Sequence, residues 1–286
     1  MHITGALCLL IAIPVTVCIT FDVGGGLVAC LAYSSAFMLL NKWNSKALFY
    51  FPDYWAQAAL ARANYPVALQ RIVRLETKFG RNAGILFPRG TIFLFAGQFG
   101  EAELTLRQGL EQAQCDNRCL PGLLTNLGYV LLYQGRYAEA NRAFQGAFKL
   151  NQKSLQALKG LAEIYLFQNN NPKKALDLLD KLLQKASTGR RSNITEYGPV
   201  LADKAWALAL LGYKSEAAAL LKEAFQVNGK SFKPGLAGLH YRAGLIFTQI
   251  RQRGAENEYK FAIRLDPEGT FGQMARQALS GLGQPS

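Results

Sequence analysis

The sequence predicts an all-α chain: about six helix–turn–helix units stacked into a solenoid and closed by a C-terminal capping helix, behind a transmembrane helical hairpin. Two observations predict it. The first is a break in composition. Residues 3–40 hold one charged side chain, Asp22, and all 32 lysines and arginines of the 286 residues lie beyond them. The second is recurrence. A pattern of small and large apolar residues returns from Ala56 to Pro267 at intervals of roughly 34 residues, a repeat length too long for a single helix or strand pattern. Half the chain is apolar, which is enough to fill a core and excludes global disorder. Two histidines and five scattered cysteines leave little for a zinc enzyme or a histidine-based catalyst.

The apolar leader comes first. Ile3–Thr20 and Val23–Leu40 each approach the ~17-residue minimum for crossing hydrocarbon. Asp22 resists burial and Gly24 to Gly26 suit a tight reversal, so two short spans are favoured over one long one. A cleaved signal peptide fits less well, because Met1-His2 offers no basic flank. Lys42, Lys46 and Arg62 follow the second stretch, and the positive-inside rule assigns that flank to the cytoplasm. Residues 1–41 are therefore read as a membrane anchor and 42–51, with Trp43, Tyr50 and Phe51, as an interfacial collar. Residues 52–267 form the solenoid, and 268–286 the capping helix and a frayed tail. The implied location is integral to a membrane with the larger domain cytoplasmic. Lipid is then a partner, through the anchor and the basic exterior that gives a net charge of +13.

The repeat is clearest at Leu127-Gly128, Leu131, Gly135-Arg136-Tyr137, Ala140, Phe144 and Ala147. Related residues recur upstream at Gly90, Phe93, Gly97, Phe99, Ala102 and Leu106, and before them at Ala56, Tyr65, Ala68 and Ile72. Downstream they recur at Leu158, Ala162, Tyr165 and Ala175, then at Ala205, Gly212, Ala217 and Leu221, and last at Leu239, Ala243, Ala255 and Tyr259. Small residues in the first helix (Gly128, Ala162, Ala205, Ala243) and in the second (Ala68, Ala102, Ala140, Ala175, Ala217, Ala255) let paired helices touch closely. The glycines between them permit left-handed turns. Neither helix pair buries its apolar face alone, so the pairs must stack. Extra residues fall in the links around Cys115–Cys119, Ser187–Tyr197 and Gly229–Pro234. After Pro267, Phe271, Met274, Ala275, Ala278 and Leu279 share one helical face, as a capping helix requires.

These residues and their spacing resemble the tetratricopeptide repeat (TPR) family, most fully at Gly97–Ala102 and Gly135–Ala140. The resemblance implies that the first helix of each unit lines a concave groove. Phe95, Asn126, Tyr129, Tyr133, Lys159, Glu163, Trp206, His240 and Tyr241 are the groove positions expected to hold a partner. Rigid aromatics supply contact area at low ordering cost, so an amphipathic helix or extended peptide is the expected ligand. Any one ring can equally pack between neighbouring units. A carboxylate clamp of the chaperone-binding kind is poorly supported: Asn126 and Lys159 occupy plausible slots, but Phe87 and Thr91 in the preceding unit and Ala202 and Asp203 in the following one stand where Lys and Asn are wanted. Glu163, Asp203 and His240 are candidates to converge in the groove.

No phosphate-binding loop, dinucleotide fingerprint, nucleophile elbow or paired-carboxylate motif is present, and no cofactor is expected. Cys115 and Cys119 lack a second ligand pair nearby in sequence. The expected function is therefore a non-enzymatic, membrane-anchored scaffold binding partner proteins through the groove. Two alternatives stand beside it: a subunit of a membrane complex with the hairpin as interface, and, less favoured, a nucleic-acid-binding solenoid.

Overall fold

Helix starts are written locally. Asn64 Oδ1 accepts from the Val67 N–H, Asn82 Oδ1 from Ile85 and Ser154 Oγ from Ala157, at 3.2–3.3 Å, so each satisfies a donor that the first turn leaves orphaned. Pro66, Pro121 and Pro234 occupy first-turn positions, where no N–H is missed. The computed structural model describes residues 54–113, 119–188, 194–227 and 232–282. They form thirteen α-helices and no strand.

The helices run α1 (Tyr54–Ala61), α2 (Tyr65–Phe79), α3 (Ala83–Phe95), α4 (Phe99–Gln112), α5 (Leu120–Tyr133), α6 (Tyr137–Leu150) and α7 (Leu155–Phe167). They continue with α8 (Pro172–Thr188), α9 (Ile194–Leu210), α10 (Lys214–Val227), α11 (Lys233–Gln249), α12 (Ala255–Leu265) and α13 (Thr270–Leu282). Odd and even helices pair as antiparallel hairpins, and each odd helix from α3 to α11 also packs on the next odd helix. This explains their composition. An odd helix such as α5 or α7 is covered on most sides and is apolar nearly all round, whereas the even helices keep a charged outer face.

Every odd-to-even turn is built the same way. The second residue past the helix end is left-handed: Ala63, Gly97, Gly135, Asn169, Gly212 and Arg251, with φ between 49° and 89°. In most of them the following N–H reaches back five residues, as Gln98 N does to Phe93 O, and the left-handed residue's own N–H reaches back three, as Gly97 N does to Leu94 O, so that two carbonyls at the helix end are satisfied.

Backbones meet closely where the small residues lie. A Cβ on Gly128 would sit 2.7 Å from the Phe144 ring, and one on Gly160 would come closer still to the same ring. Phe144 is wholly buried and wedges α6 between α5 and α7. The second-helix alanines Ala68, Ala102, Ala140, Ala175, Ala217 and Ala255 are all buried.

The stack curves until its ends meet. Helix α11 reaches α1, and α13 reaches α3. Tyr65 OH donates to Asp266 Oδ1 at 2.5 Å, Thr270 Oγ1 donates to Leu94 O, and Gln273 Nε2 donates to Ala96 O at 3.4 Å, all across 176 to 201 residues of chain. Phe232 meets Phe95 edge to face at 5.3 Å. The capping helix thus does more than cover the last unit. It closes a seam against the second.

The membrane assignment is corrected. Among the described residues no helix is long and apolar enough to cross a membrane. The stretches 3–20 and 23–40 and the collar 42–51, from which an integral membrane location was expected, lie outside the described residues, as do Cys115 and the tail 283–286.

Candidate functional site: the inner face of the odd helices

The inner face is built from α3, α5, α7, α9 and α11, whose side chains at successive helical turns point toward the centre of the curve. Tyr133 is its hub. The ring lies 6.1 Å from Tyr129, 5.9 Å from Phe167 and 5.9 Å from Phe271, and Phe167 meets Trp206 edge to face at 5.2 Å. Tyr241 is 6.2 Å from Phe271. Tyr129, Tyr133, Phe167, Trp206 and Tyr241 thus form one wall with Phe271 of α13 seated in it, while Phe95 meets Phe232 apart from them.

An ionic quartet lies beside the rings. Lys159 Nζ donates to Glu163 Oε1 at 2.5 Å and faces Asp203 Oδ2 at 3.3 Å. Arg242 bridges the same two carboxylates, through Nη2 to Glu163 Oε1 and Nε to Asp203 Oδ1, and its Nη1 donates to Gly238 O at 3.2 Å. Glu163 and Asp203 are wholly buried, and Lys159 and Arg242 are nearly so. Two cations match two anions, as burial of charge demands.

Burial lifts the Glu163 carboxyl, but Lys159 and Arg242 more than offset it and hold it below the usual carboxylate range. Burial also lifts Asp203, which has the Glu163 charge beside it, and there the two cations fall short, so its proton affinity is raised. Burial pushes the phenols of Tyr129 and Tyr133 well up, leaving both neutral. Glu163 Oε2 and Asp203 Oδ2 accept no hydrogen bond.

The nine positions expected to face a partner divide by exposure. Tyr129, Lys159, Glu163, Trp206 and Tyr241 are buried; Phe95, Asn126, Tyr133 and His240 are half-buried. Asn126 Nδ2 donates to Thr91 Oγ1 at 2.7 Å, tying α5 to α3. Tyr129 OH donates to Gln156 O at 3.1 Å, and the Lys159 ammonium sits 5.5 Å above the Tyr129 ring. Glu163 and Asp203 converge, but His240 does not join them. Its Nδ1 pairs with Glu258 at 2.7 Å and its ring lies between Phe225 and Phe261.

Two inner-face residues escaped the sequence reading, Arg242 and Phe271. Arg242 had a signal: it is the lone charge in the interior of α11, in an otherwise apolar and small-residue helix. Phe271 had none beyond its place on the capping face. Among the described residues no group of three or more His, Cys, Asp or Glu could hold a metal ion.

Residues 125–190 match the tetratricopeptide repeat family. No curated protein sequence matches the chain. Among solved structures, the fold is similar to that of a tetratricopeptide repeat protein from Parabacteroides merdae ATCC 43184, at 16% identity and a TM-score of 0.53, over 90% of this chain and 92% of that one. A thermophilic TPR protein from Thermus thermophilus is 18% identical over 75% of this chain and 98% of its own, with a TM-score of 0.47. PilF of Pseudomonas aeruginosa is 19% identical over 79% and 94%, with a TM-score of 0.46. At such identities the likeness to the Parabacteroides merdae protein is one of fold: the described chain is an all-helical TPR-like solenoid, and residues 125–190 carry the sequence signature of the repeat.

Proposed function

We propose that the chain is a protein-interaction scaffold that receives a helix or extended peptide of a partner protein on the inner face of its odd helices. Phe95, Asn126, Tyr129, Tyr133, Lys159, Glu163, Trp206, His240 and Tyr241 are the residues that face lends to it. TPR-like folds generally serve as non-catalytic scaffolds, and repeat stacks bind through their concave surfaces. One observation carries the reading: the wall of Tyr133, Phe167 and Tyr241 already holds an aromatic side chain delivered by a helix, in the manner an amphipathic ligand would be held. The quartet beside it has no net charge, which suits a protein segment better than a phosphate backbone.

The test is site-specific photo-crosslinking from the intact chain in its native cells. Probes at the half-buried Phe95 and Tyr133 are compared with probes at Leu104 and Val73, which face outward and are exposed. A shared partner polypeptide captured from the two inner positions and not from the outer two supports the reading. Capture confined to the outer positions refutes it.

A further inference from the structure

Helix α13 is held to the rest of the stack in two ways. Its face of Phe271, Ala275, Met274 and Leu279 packs on α11 and α12, as a cap does. Its first turn makes the seam. Thr270 Oγ1 donates to Leu94 O, Gln273 Nε2 to Ala96 O, and in the turn before it Asp266 Oδ1 accepts from Tyr65 OH. None of these partners is a sequence neighbour, and none belongs to the repeating hairpin interfaces that hold a solenoid together. Moreover, the seam is imperfectly satisfied: Asp266 is wholly buried, yet its Oδ2 accepts no hydrogen bond. Buried unpaired carboxylate oxygens are costly, which weakens the closure against the glycine and alanine interfaces of the hairpins, where no such group lies.

Helix α13 follows the turn 266–269. That turn is fitted to glycine: a Cβ on Gly269 would collide with the Asp266 carboxylate, and one on Gly272 with the Asp266 carbonyl oxygen.

We propose that α13 is a displaceable occupant of the inner face, and that the partner segment displacing it is an amphipathic helix presenting one aromatic ring between small residues. This rests on the scaffold reading above and names its regulation and its ligand class. Phe271 supplies the template. Its ring packs against Tyr133 and Tyr241, and the Arg242 guanidinium lies 5.4 Å from its centre. The approach is close, since a Cβ on Gly238 would stand 2.8 Å from that ring. A competing helix therefore needs a flat ring here, with small residues such as Gly272 and Ala275 beside it. A hydroxyl in its first turn would replace Thr270 at the Leu94 carbonyl.

The experiment uses the full chain and a fluorescent peptide of residues 270–282. The seam variant combines Tyr65→Phe with Thr270→Val, near-isosteric changes that remove two hydroxyl donors. Hydrogen exchange of α13 is expected to quicken at least tenfold in the variant while α5 and α6 are unchanged. The peptide is expected to bind the variant at least tenfold more tightly than the parent chain, and a peptide with Phe271→Ala is expected to lose that gain. Gln273→Ala, at an exposed position, gives a smaller change in the same direction and serves if the double variant folds poorly. Exchange of α13 that stays locked to that of α5 and α6 overturns the displaceable seam and leaves the scaffold reading standing. A released α13 with no gain in peptide binding overturns both.

Discussion

The contact of α5 with α6 and the seam of α13 with α3 both join helices, but by opposite chemistry. The first is a glycine and an alanine row closed on a single phenyl ring, Phe144, with no polar group at its centre. The second is two hydroxyls, an amide and a carboxylate, with an aromatic pair at its edge. An interface of the first kind fails when volume changes, because close-packed interiors relax little. One of the second kind fails when a hydrogen-bond partner is lost or a proton moves. Between them lies the quartet, which is polar like the seam and buried like the hairpin core.

The quartet should therefore show the largest response. Arg242→Met removes the bridge between Glu163 and Asp203 and leaves two buried carboxylates facing one ammonium. The expected loss is about 3–5 kcal/mol of unfolding free energy, read as a fall in the denaturant midpoint. Gly160→Ala comes next. The added methyl would collide with the Phe144 ring, and overpacking of that kind costs ~1–3 kcal/mol. An unchanged midpoint in either variant would contradict the packing described.

That ranking is not the order in which the sequence made the parts legible. The hairpin rows repeat, so Gly128, Ala140 and Phe144 announce their roles through copies of themselves along the chain, and the turns do so through Gly97, Gly135 and Gly212. The packing face of α13 was legible too, in Phe271, Ala275 and Leu279. The seam was not. Tyr65 and Asp266 meet once, 201 residues apart, and a contact made once has no period to betray it. The candidate site was half legible for the same reason. Spacing marked Tyr129, Tyr133, Lys159 and Glu163 as inner-face positions. How far the stack curves decides whether that face is open or filled, and curvature accumulates from small rotations between units that no single residue encodes. The location was misread because it was inferred from residues 1–41 and the basic flank of Lys42, Lys46 and Arg62, and no described helix bears it out.

The seam should respond to pH where the hairpin interfaces do not. Burial raises the Asp266 carboxyl from 3.8 to about 6, against the opposing pull of the Tyr65 hydroxyl and the Gly269 N–H. A carboxyl raised on folding binds its proton more tightly in the folded chain. Its contribution therefore favours the folded, closed form in acid and is lost as pH rises from about 4 through about 6, remaining lost above. Asp203, whose proton affinity is also raised, acts in the same sense, and several glutamates act in the reverse one. Glu103, for one, is held down by Arg107 and Arg136 despite some desolvation. The measurement is accordingly a difference. Asp266→Asn mimics the protonated group, so the stability of the parent chain minus that of the variant should fall between about pH 4 and about pH 6.5. A flat difference would mean that Asp266 titrates as it does in water.

The smallest expected effect tests the turns, which belong to the repeating half of the comparison. Six turns adopt one geometry, yet only three carry glycine; Ala63, Asn169 and Arg251 hold φ of 58°, 49° and 57°. A side chain in that region costs ~1–2 kcal/mol, and glycine gives back part of the gain, about 0.5–1 kcal/mol, through the freedom it adds to the unfolded chain. Arg251→Gly and Ala63→Gly should each stabilise the stack by roughly 0.5–1 kcal/mol. Asn169→Gly should do less, because asparagine tolerates the left-handed region better than alanine or arginine. The order matters more than the size. If Asn169→Gly gave the largest gain in midpoint, backbone strain would not be what distinguishes these turns, and the contacts of each side chain would have to account for it instead.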